Sequence, residues 1–258
     1  MNVVQWIATT SFVPASPLDP AGPSGARMTS ILFIVMWTSF IVGGAVFLGL
    51  IFTFFKFRAK KGDTSEGAQW HEKPVLEALY TIFPFILFMV LFGIGAANVN
   101  YISNGPGNNS GAPTFNDVVI AHQFFWEYEY KDITLPNGQH PYTFEQLNIP
   151  VNSVVNMNVI SLPTPPEYPT GVNHSFYVPE LAAQINAIPG QTNFTWMEAS
   201  TAGMYYGQCT ELCGTGHDQM LITVDAMTQQ QYSQWAASCK SNAIFSPGYK
   251  VYVCAPAA

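Results

Sequence analysis

The chain has 258 residues, of which 48% are hydrophobic and 10% charged, and its formal net charge is −7. This length accommodates one good-sized domain with additional segments. From Tyr101 onward three basic residues stand against eleven acidic ones, the wrong sign for phosphate binding, which excludes a nucleic-acid partner. The second half is rich in Asn, Gln, Ser, Thr, Gly and Pro, so we expect a membrane part followed by a water-facing part.

Residues 1–29 are predicted to form an external N-terminal extension. Met1–Gly25 has no basic start and contains four prolines, which does not fit an ordinary cleavable signal peptide. We interpret this segment as irregular, consistent with the mature end of a processed precursor.

Two apolar runs predict a transmembrane hairpin over residues 30–99, with helices at about 30–57 and 75–99 and a connecting loop at 58–74. Each run is longer than the roughly 20 residues needed to cross the hydrocarbon core of a bilayer. The second run contains Pro84, which membrane helices tolerate. We therefore expect two helices in contact with membrane lipid.

The positive charges predict how this hairpin is oriented. Five of the nine Lys and Arg residues lie at the connection between the two runs: Lys56, Arg58, Lys60, Lys61 and Lys73. The positive-inside rule places that loop in the cytoplasm, so both termini and the region after Asn100 are expected to be periplasmic. The predicted location is a bacterial inner membrane, and the four cysteines are chemically permissible on its outer side.

A linker is predicted at residues 100–115, and a β-rich domain at residues 116–227. Short runs of strand character separated by turn residues indicate a β-sandwich or barrel. The predicted strands are Asp117–Ala121, Phe124–Tyr130, Pro141–Leu147, Val154–Ile160, Ser175–Val178, Gln191–Ala199, Gly203–Tyr206 and Leu221–Val224. An amphipathic helix at Thr228–Ser238 opens a C-terminal helix and tail at residues 228–258.

Residues 207–220 (Gly-Gln-Cys-Thr-Glu-Leu-Cys-Gly-Thr-Gly-His-Asp-Gln-Met) combine two thiols, an imidazole and a thioether. Soft sulfur ligands with imidazole suit copper better than calcium, magnesium or manganese. A single blue-type copper needs only one cysteine, whereas Cys209 and Cys213 together fit two copper ions bridged by both sulfurs. Such a centre needs a second histidine besides His217, from elsewhere in the chain.

Three other interpretations of this loop stay open. Cys209, Cys213 and His217 are spaced as on one stripe of a helix, although the glycines among them favour a loop between two strands. A disulfide between the two cysteines is possible in an oxidising compartment. A zinc site is also possible.

Residues 205–220 resemble the binuclear copper (CuA) loop of cytochrome c oxidase subunit II. Upstream, residues 174–179 (His-Ser-Phe-Tyr-Val-Pro) and 187–190 (Ala-Ile-Pro-Gly) resemble the segment that carries the family's other histidine. The resemblance implies a cupredoxin fold and the following copper ligands: His174, Cys209, the Glu211 backbone carbonyl, Cys213, His217 and Met220. Without the copper loop, His174 would be read as a polar turn residue.

The resemblance also implies roles for acidic and aromatic residues. The Glu211 side chain is expected to reach a magnesium ion at the junction with subunit I, since carboxylate oxygen suits that ion. Leu76-Glu77-x-x-Tyr80-Thr81-x-x-Pro84 resembles the start of the family's second helix, where the glutamate stands at the mouth of a proton path. The family usually has Trp in place of Tyr80. Alternatively, Glu211 is a solvated loop acid and Glu77 simply favours the helix dipole.

Residues 122–130 (His-Gln-Phe-Phe-Trp-Glu-Tyr-Glu-Tyr) resemble the family's aromatic strand. Its first tryptophan, which usually receives electrons from cytochrome c, is Phe124 here. Trp126 keeps the second aromatic position, which lies toward the electron route from copper to haem. The alternative is that these rings are plain core.

The implied function is that of subunit II of a haem-copper oxidase. Two copper ions would accept electrons from a cytochrome c-type donor and pass them to haem in subunit I, with subunit III as a further partner. The alternative is a free-standing membrane-anchored copper carrier or copper chaperone, which would need neither Glu77 nor Glu211. A quinol oxidase subunit normally lacks the copper ligands.

Cys239 and Cys254 lie outside every copper motif, in the tail after the expected end of the fold. An external location allows them to oxidise, so we predict a disulfide between them, with two free thiols as the alternative.

Overall fold

The computed structural model describes residues 16–59, 61–64, 66–67, 69, 71–106, 111–164 and 166–255. Predictions that concern residues 1–15, Lys60, residues 107–110 and residues 256–258 lie outside the described residues. The chain divides into two compact units. One is Ser30–Val99, and the other joins Met1–Thr29 to Asn100–Ala258.

Two long helices precede the β-rich region. Helix α1 is Pro23–Lys56 and helix α2 is Pro74–Asn104, with Pro84 inside α2. By length and composition both could cross a membrane, since 18-residue windows within them have mean hydropathies of 2.4 and 2.2. Their apolar side chains are largely exposed, as expected of surfaces that face lipid rather than a protein core.

Helix α1 begins at Pro23 rather than near residue 30, so the predicted N-terminal extension is partly helical. Proline is favourable in the first turn because its missing N–H needs no intrahelical partner there. Ala21, just before the helix, bonds to the β-rich region: its N–H donates to the Glu180 carbonyl at 2.9 Å, and its carbonyl accepts from the Ser200 N–H at 2.8 Å. These two hydrogen bonds join the proline-rich segment before α1 to the β-rich region.

The predicted linker at residues 100–115 is also shorter than expected. Helix α2 continues to Asn104, and the first strand already starts at Thr114. The extra helical turn is held by Trp196, whose indole N–H donates to the Ile102 carbonyl at 2.9 Å and whose ring meets Tyr101 edge-on at 5.4 Å. The Arg27 guanidinium lies over the Tyr101 ring, with its central carbon 3.6 Å from the ring centroid.

Twelve strands follow in chain order within the described residues. They are β1 (Thr114–His122), β2 (Phe125–Tyr130), β3 (Pro141–Phe144), β4 (Gln146–Pro150), β5 (Val154–Ser161), β6 (His174–Val178), β7 (Ala183–Ala187), β8 (Asn193–Met197), β9 (Gly203–Cys209), β10 (Leu221–Met227), β11 (Ile244–Ser246) and β12 (Val251–Val253). Helix α3 (Gln229–Asn242) lies between β10 and β11.

The strands form two sheets around one hydrophobic core. The larger sheet has the order β11-β12-β3-β2-β1-β5-β8, and the smaller has the order β4-β10-β9-β6-β7. Fully buried side chains from both sheets meet in the core, among them Trp126 from β2 and Phe176 from β6, whose rings lie 5.4 Å apart. The predicted class, two apolar helices followed by a cupredoxin-like β-sandwich, is confirmed.

The strand bounds differ from the prediction where local backbone or tertiary pairing decides. The predicted strand Pro141–Leu147 is divided into β3 and β4 at Glu145, whose φ of 63° is left-handed and interrupts an extended strand. Strand β7 is not among the predicted strands, because its alternation of polar and apolar residues extends over only five positions. It forms by antiparallel pairing with β6.

The C-terminal tail belongs to the larger sheet rather than following the end of the fold. Strand β12 pairs in parallel with β3, and the Cys254 N–H donates to the Tyr142 carbonyl at 2.8 Å. The predicted disulfide is confirmed: Cys239 of α3 is bonded to Cys254, with Cα atoms 5.3 Å apart. Helix α3 itself begins with a capping box formed by Thr228 and Gln231.

Candidate metal centre

The predicted copper ligands meet at one end of the smaller sheet. His174 is the first residue of β6, and Cys209 is the last residue of β9. These two strands are antiparallel neighbours, with Phe176 opposite Cys209, which places the imidazole beside the first thiol. The segment between β9 and β10 is a loop closed by the Cys209 N–H, which donates to the Met220 carbonyl at 3.0 Å.

The loop interpretation is therefore correct, and the single-helix stripe is not formed. Only His217–Gln219 is helical here, as one short 3₁₀ turn that ends just before Met220. This turn brings His217 and Met220 back toward Cys213, although the three residues are spread over eight positions. Cys209 and Cys213 are free thiols, so the two cysteines do not form the alternative disulfide.

Every atom predicted to bind copper lies within a few ångströms of one of the two sulfurs. The two Sγ atoms are 4.0 Å apart. His174 Nδ1 lies 3.8 Å from Cys209 Sγ, and His217 Nδ1 lies 3.5 Å from Cys213 Sγ. Met220 Sδ is 3.9 Å from Cys213 Sγ, and the Glu211 carbonyl oxygen is 3.3 Å from Cys209 Sγ. Each thiol thus lies near one imidazole. The Glu211 carbonyl oxygen is near Cys209 Sγ, and the Met220 thioether is near Cys213 Sγ.

The cluster is buried, and burial sets its protonation. The pKa of His174 is lowered to about 4, first by burial and then by the charges of His122 and His217. Burial raises the pKa of the Cys213 thiol to about 12, and the neighbouring Cys209 adds to the effect. At neutral pH the His174 imidazole is neutral with a lone pair to offer, while a bound metal would have to displace the thiol protons.

The donor set fits copper. Two thiols, two imidazoles and a thioether are the ligand types that soft and borderline metals prefer. Within the described part of the chain, the buried His174 Nε2 has no hydrogen-bond partner, so the ring is not tied to another protein group through that atom. The sulfurs are close together yet unbonded, an arrangement that two bridging thiolates would require.

The two roles predicted for Glu211 involve different parts of the residue, the backbone carbonyl and the side-chain carboxylate. Its backbone carbonyl faces Cys209, whereas the residue itself is exposed. The neighbouring Leu212 side chain is 80% exposed, so this part of the loop projects from the domain. An outward carboxylate is compatible both with a metal at a subunit junction and with a solvated acid.

The two aromatic positions of the β1–β2 region lie near different ligands of the cluster. Trp126 is fully buried, with its ring centroid 6.2 Å from that of His174. Phe124 is partly exposed and lies against the glycines of the copper loop, with the Tyr168 ring edge-on at 5.2 Å. Trp126 is therefore a core residue that also packs beside the ligand cluster.

Glu77 is in the first turn of α2. Its carboxylate accepts a hydrogen bond from the Lys73 N–H at 3.1 Å, which is a helix-capping contact. That contact accounts for the residue without a proton path. The role at the mouth of such a path stays a prediction.

Sequence reasoning missed three polar residues beside the cluster. The Gln123 side-chain amide donates to the Cys213 carbonyl at 2.6 Å. His122 and Glu127 form a buried pair, with Nε2 and Oε2 2.8 Å apart. The sequence did contain a signal for these contacts, because polar residues inside an otherwise aromatic strand need hydrogen-bond partners when they are buried. The identity of those partners could not be read from spacing.

Comparison with known proteins supports the resemblance to cytochrome c oxidase subunit II. Residues 117–227 match the family described as cytochrome c oxidase subunit II, periplasmic domain. A cytochrome c oxidase subunit 2 of Alkalihalophilus pseudofirmus is 30% identical over 219 residues, covering 84% of this chain and 60% of that protein. One of Metridium senile is 30% identical over 181 residues, covering 64% of this chain and 68% of that protein.

Among solved structures, the periplasmic domain of cytochrome oxidase subunit II from Bradyrhizobium japonicum is similar to this chain. The sequence identity is 27% and the TM-score 0.41, covering 49% of this chain and 94% of that one. The chain spans 60% of the length of the Alkalihalophilus relative and 66% of that of a Triticum aestivum relative.

Fold and site define a membrane-anchored protein whose cupredoxin-like domain carries a sulfur-rich, copper-type ligand cluster. Two long apolar helices supply the anchor, and the cluster lies in the β-rich unit. The chain belongs to the cytochrome c oxidase subunit 2 family.

Proposed function

We propose that the chain is the electron-accepting subunit of a haem-copper cytochrome c oxidase. It takes electrons from a cytochrome c-type donor at a binuclear copper centre and passes them to haem in subunit I. Oxygen reduction coupled to proton translocation takes place in that partner. The observation that carries the proposal is the pair of unbonded buried sulfurs, 4.0 Å apart, each flanked by its own imidazole nitrogen.

Two copper ions would be held by six groups of this chain. Cys209 and Cys213 would supply two thiolates, His174 and His217 would supply one imidazole each, and Met220 Sδ and the Glu211 carbonyl would be the weaker ligands. When bound, such a thiolate-bridged pair shares one electron between both metals, so it exchanges single electrons with little rearrangement. The arrangement of the protein atoms around the sulfurs supports this assignment, because each proposed ligand already faces one of them.

The protein's own contribution is a dry and rigid site. His174 and Met220 are fully buried, and both cysteines are less than 5% exposed, so water has little access to the ligand atoms. His174 and Cys209 stand on paired strands, which limits their motion. Trp126, packed beside His174, is proposed to lie on the electron route toward haem.

Glu211 is proposed to carry a magnesium ion at the junction with subunit I. Its exposure, together with that of Leu212, supports this role, because a partner subunit has access to this part of the loop. A hard carboxylate oxygen is the ligand type that magnesium prefers. Subunit III is proposed as a further member of the complex.

The proposed membrane topology rests on the distribution of Lys and Arg residues. Lys56 at the end of α1 and the connection between α1 and α2 together hold five of the nine basic residues, which supports a cytoplasmic loop with both termini and the copper domain in the periplasm of a bacterial cell. Glu77, at the start of α2, then stands at the cytoplasmic side, where we propose that it lies at the mouth of a proton path into subunit I.

An electron paramagnetic resonance spectrum of the oxidised, copper-loaded full chain in detergent tests the central proposal. Hyperfine structure from one electron shared over two copper nuclei is expected, together with two copper ions per chain by metal analysis. A spectrum from a single copper nucleus would contradict the binuclear assignment.

A further inference from the structure

The turn between β1 and β2 contacts the copper loop and the loop that leads to His174. Its strongest contact is made by Gln123, whose side-chain amide donates to the Cys213 carbonyl at 2.6 Å across 90 positions of sequence. The bond is partly buried, so losing the donor would leave a poorly hydrated carbonyl without its partner. None of the roles proposed above uses Gln123.

Phe124 gives the copper loop a second support. A Cβ atom on Gly216 would lie 2.6 Å from the Phe124 ring, and one on Gly214 would lie 2.9 Å from it. Both distances are shorter than real Cβ contacts, so the two glycines allow the ring to lie directly against the backbone that follows Cys213. The Tyr168 ring covers Phe124 edge-on at 5.2 Å.

His122 connects the same turn to the segment that leads to His174. Its Nε2 pairs with Glu127 Oε2 at 2.8 Å, and its Nδ1 lies 3.4 Å from Thr164 Oγ1. If the Nε2 proton is donated to Glu127, Nδ1 is left to accept from the threonine hydroxyl. Thr164 in turn exchanges two backbone hydrogen bonds with Tyr168, at 2.8 and 2.9 Å, within the loop between β5 and β6.

We propose that residues 122–124 form the element that positions the copper centre, with Gln123 as the positioning residue for Cys213. The carbonyl and the thiol belong to one residue, so holding the carbonyl restricts the direction in which the bridging sulfur points. Groups behind the ligands commonly tune metal affinity in this way. The inference rests on the proposed copper function, but the contacts themselves involve only this chain.

The test compares three variants of the full chain in detergent. Gln123→Met keeps a similar length and removes the N–H donor, and Gln123→Glu keeps the shape but turns an acceptor toward the Cys213 carbonyl. The matched control is Gln229→Met, which removes another long-range bond of the same kind, from a glutamine amide to the Val151 carbonyl at 2.8 Å. Copper release to a chelator and the paramagnetic spectrum are measured for each.

Both Gln123 variants are expected to lose copper about tenfold more readily and to show altered copper hyperfine splitting. Gln229→Met should keep the parental copper retention and spectrum while losing thermal stability. Parental retention in Gln123→Met, or equal copper loss in Gln229→Met, would overturn the inference.

A metal-free measurement separates this inference from the proposed function. Amide hydrogen exchange of residues 210–219 in the copper-free chain should be faster in Gln123→Met than in the parent and unchanged in Gln229→Met. Equal exchange in the parent and Gln123→Met would overturn the positioning role. Absence of a two-copper spectrum in the parent would instead contradict the proposed function, and the exchange result would still decide the positioning role.

Discussion

The β-rich domain and its C-terminal tail contain two cysteine pairs with different chemistry. Cys209 and Cys213 are free thiols four positions apart, whereas Cys239 and Cys254 are joined in a disulfide although 15 positions separate them. The surroundings differ more than the spacing. The first pair has imidazole, thioether and carbonyl groups around it, and the second is flanked by the α3 helix and a strand backbone. The groups around the first pair are ones that could bind a metal, whereas the second pair forms a structural link between α3 and the C-terminal tail.

The largest expected effect is at the free pair. Cys213→Ser should abolish the two-copper spectrum, because a hydroxyl is a poor bridging ligand for copper at neutral pH. Paramagnetic resonance and metal analysis of the copper-loaded full chain measure the loss. The control is Cys254→Ser in the same preparation, which should keep the spectrum. An unaltered spectrum in Cys213→Ser would show that this thiol is not a bridge.

The disulfide should matter for stability and not for copper. Replacing both Cys239 and Cys254 by serine opens a loop of 15 positions, for which chain entropy predicts a loss of up to about 3 kcal/mol in the free energy of unfolding. The loss should be smaller if the tail stays packed, since Trp235 Nε1 also donates to the Ala255 carbonyl at 3.1 Å. Thermal unfolding of the metal-free chain measures it. Unchanged stability, or loss of the copper spectrum, would break the comparison.

Asp117 offers a test at the α3 end of the domain. Its side chain is buried, and burial raises its pKa well above the usual value, with Asp132 and Glu129 adding to the effect. A raised folded-state pKa means that this group favours folding below its unfolded-state pKa and that the contribution is lost as pH rises through the folded value. Asp117→Asn should therefore raise the melting temperature at neutral pH.

The pH dependence of that difference is the discriminating measurement. The gain of Asp117→Asn over the parent should shrink as the pH falls toward the ordinary aspartate pKa, where both side chains are neutral. The copper spectrum should not change at any pH in this range. A gain that is constant with pH would mean that titration of Asp117 is not its cause.

The smallest effect is expected at Met220. Its thioether is 3.9 Å from Cys213 Sγ and is the weaker ligand in the proposed site. Met220→Leu has similar volume, so the domain should fold, keep both copper ions and change mainly the reduction potential of the centre. Spectroelectrochemical titration beside the parent measures the change. Loss of one copper ion would show that the thioether is an essential ligand.

Much of the copper site could be predicted because most of its ligands are local. Five of the six proposed ligand groups come from one stretch of twelve residues, 209–220, and the soft sulfur ligands among them indicate copper. His174 could be placed only by resemblance, since it meets Cys209 through the pairing of β6 with β9. The Cys239–Cys254 disulfide followed from exclusion of both residues from the copper motifs, whereas β11 and β12 were missed because three-residue strands carry too little pattern.

By itself the sequence determined that the chain has two apolar helices, a β-rich domain with alternating buried positions, and a sulfur-rich loop. These features depend on residue type and on spacing within one segment, which is information that a sequence carries directly. Tertiary structure alone decided that Gln123 holds Cys213, that His122 pairs with Glu127 and reaches Thr164, and that the ends of α1 and α2 bind the β-rich unit. Those contacts join distant residues, and their partners are selected only when the sheets pack and buried polar groups must find hydrogen bonds.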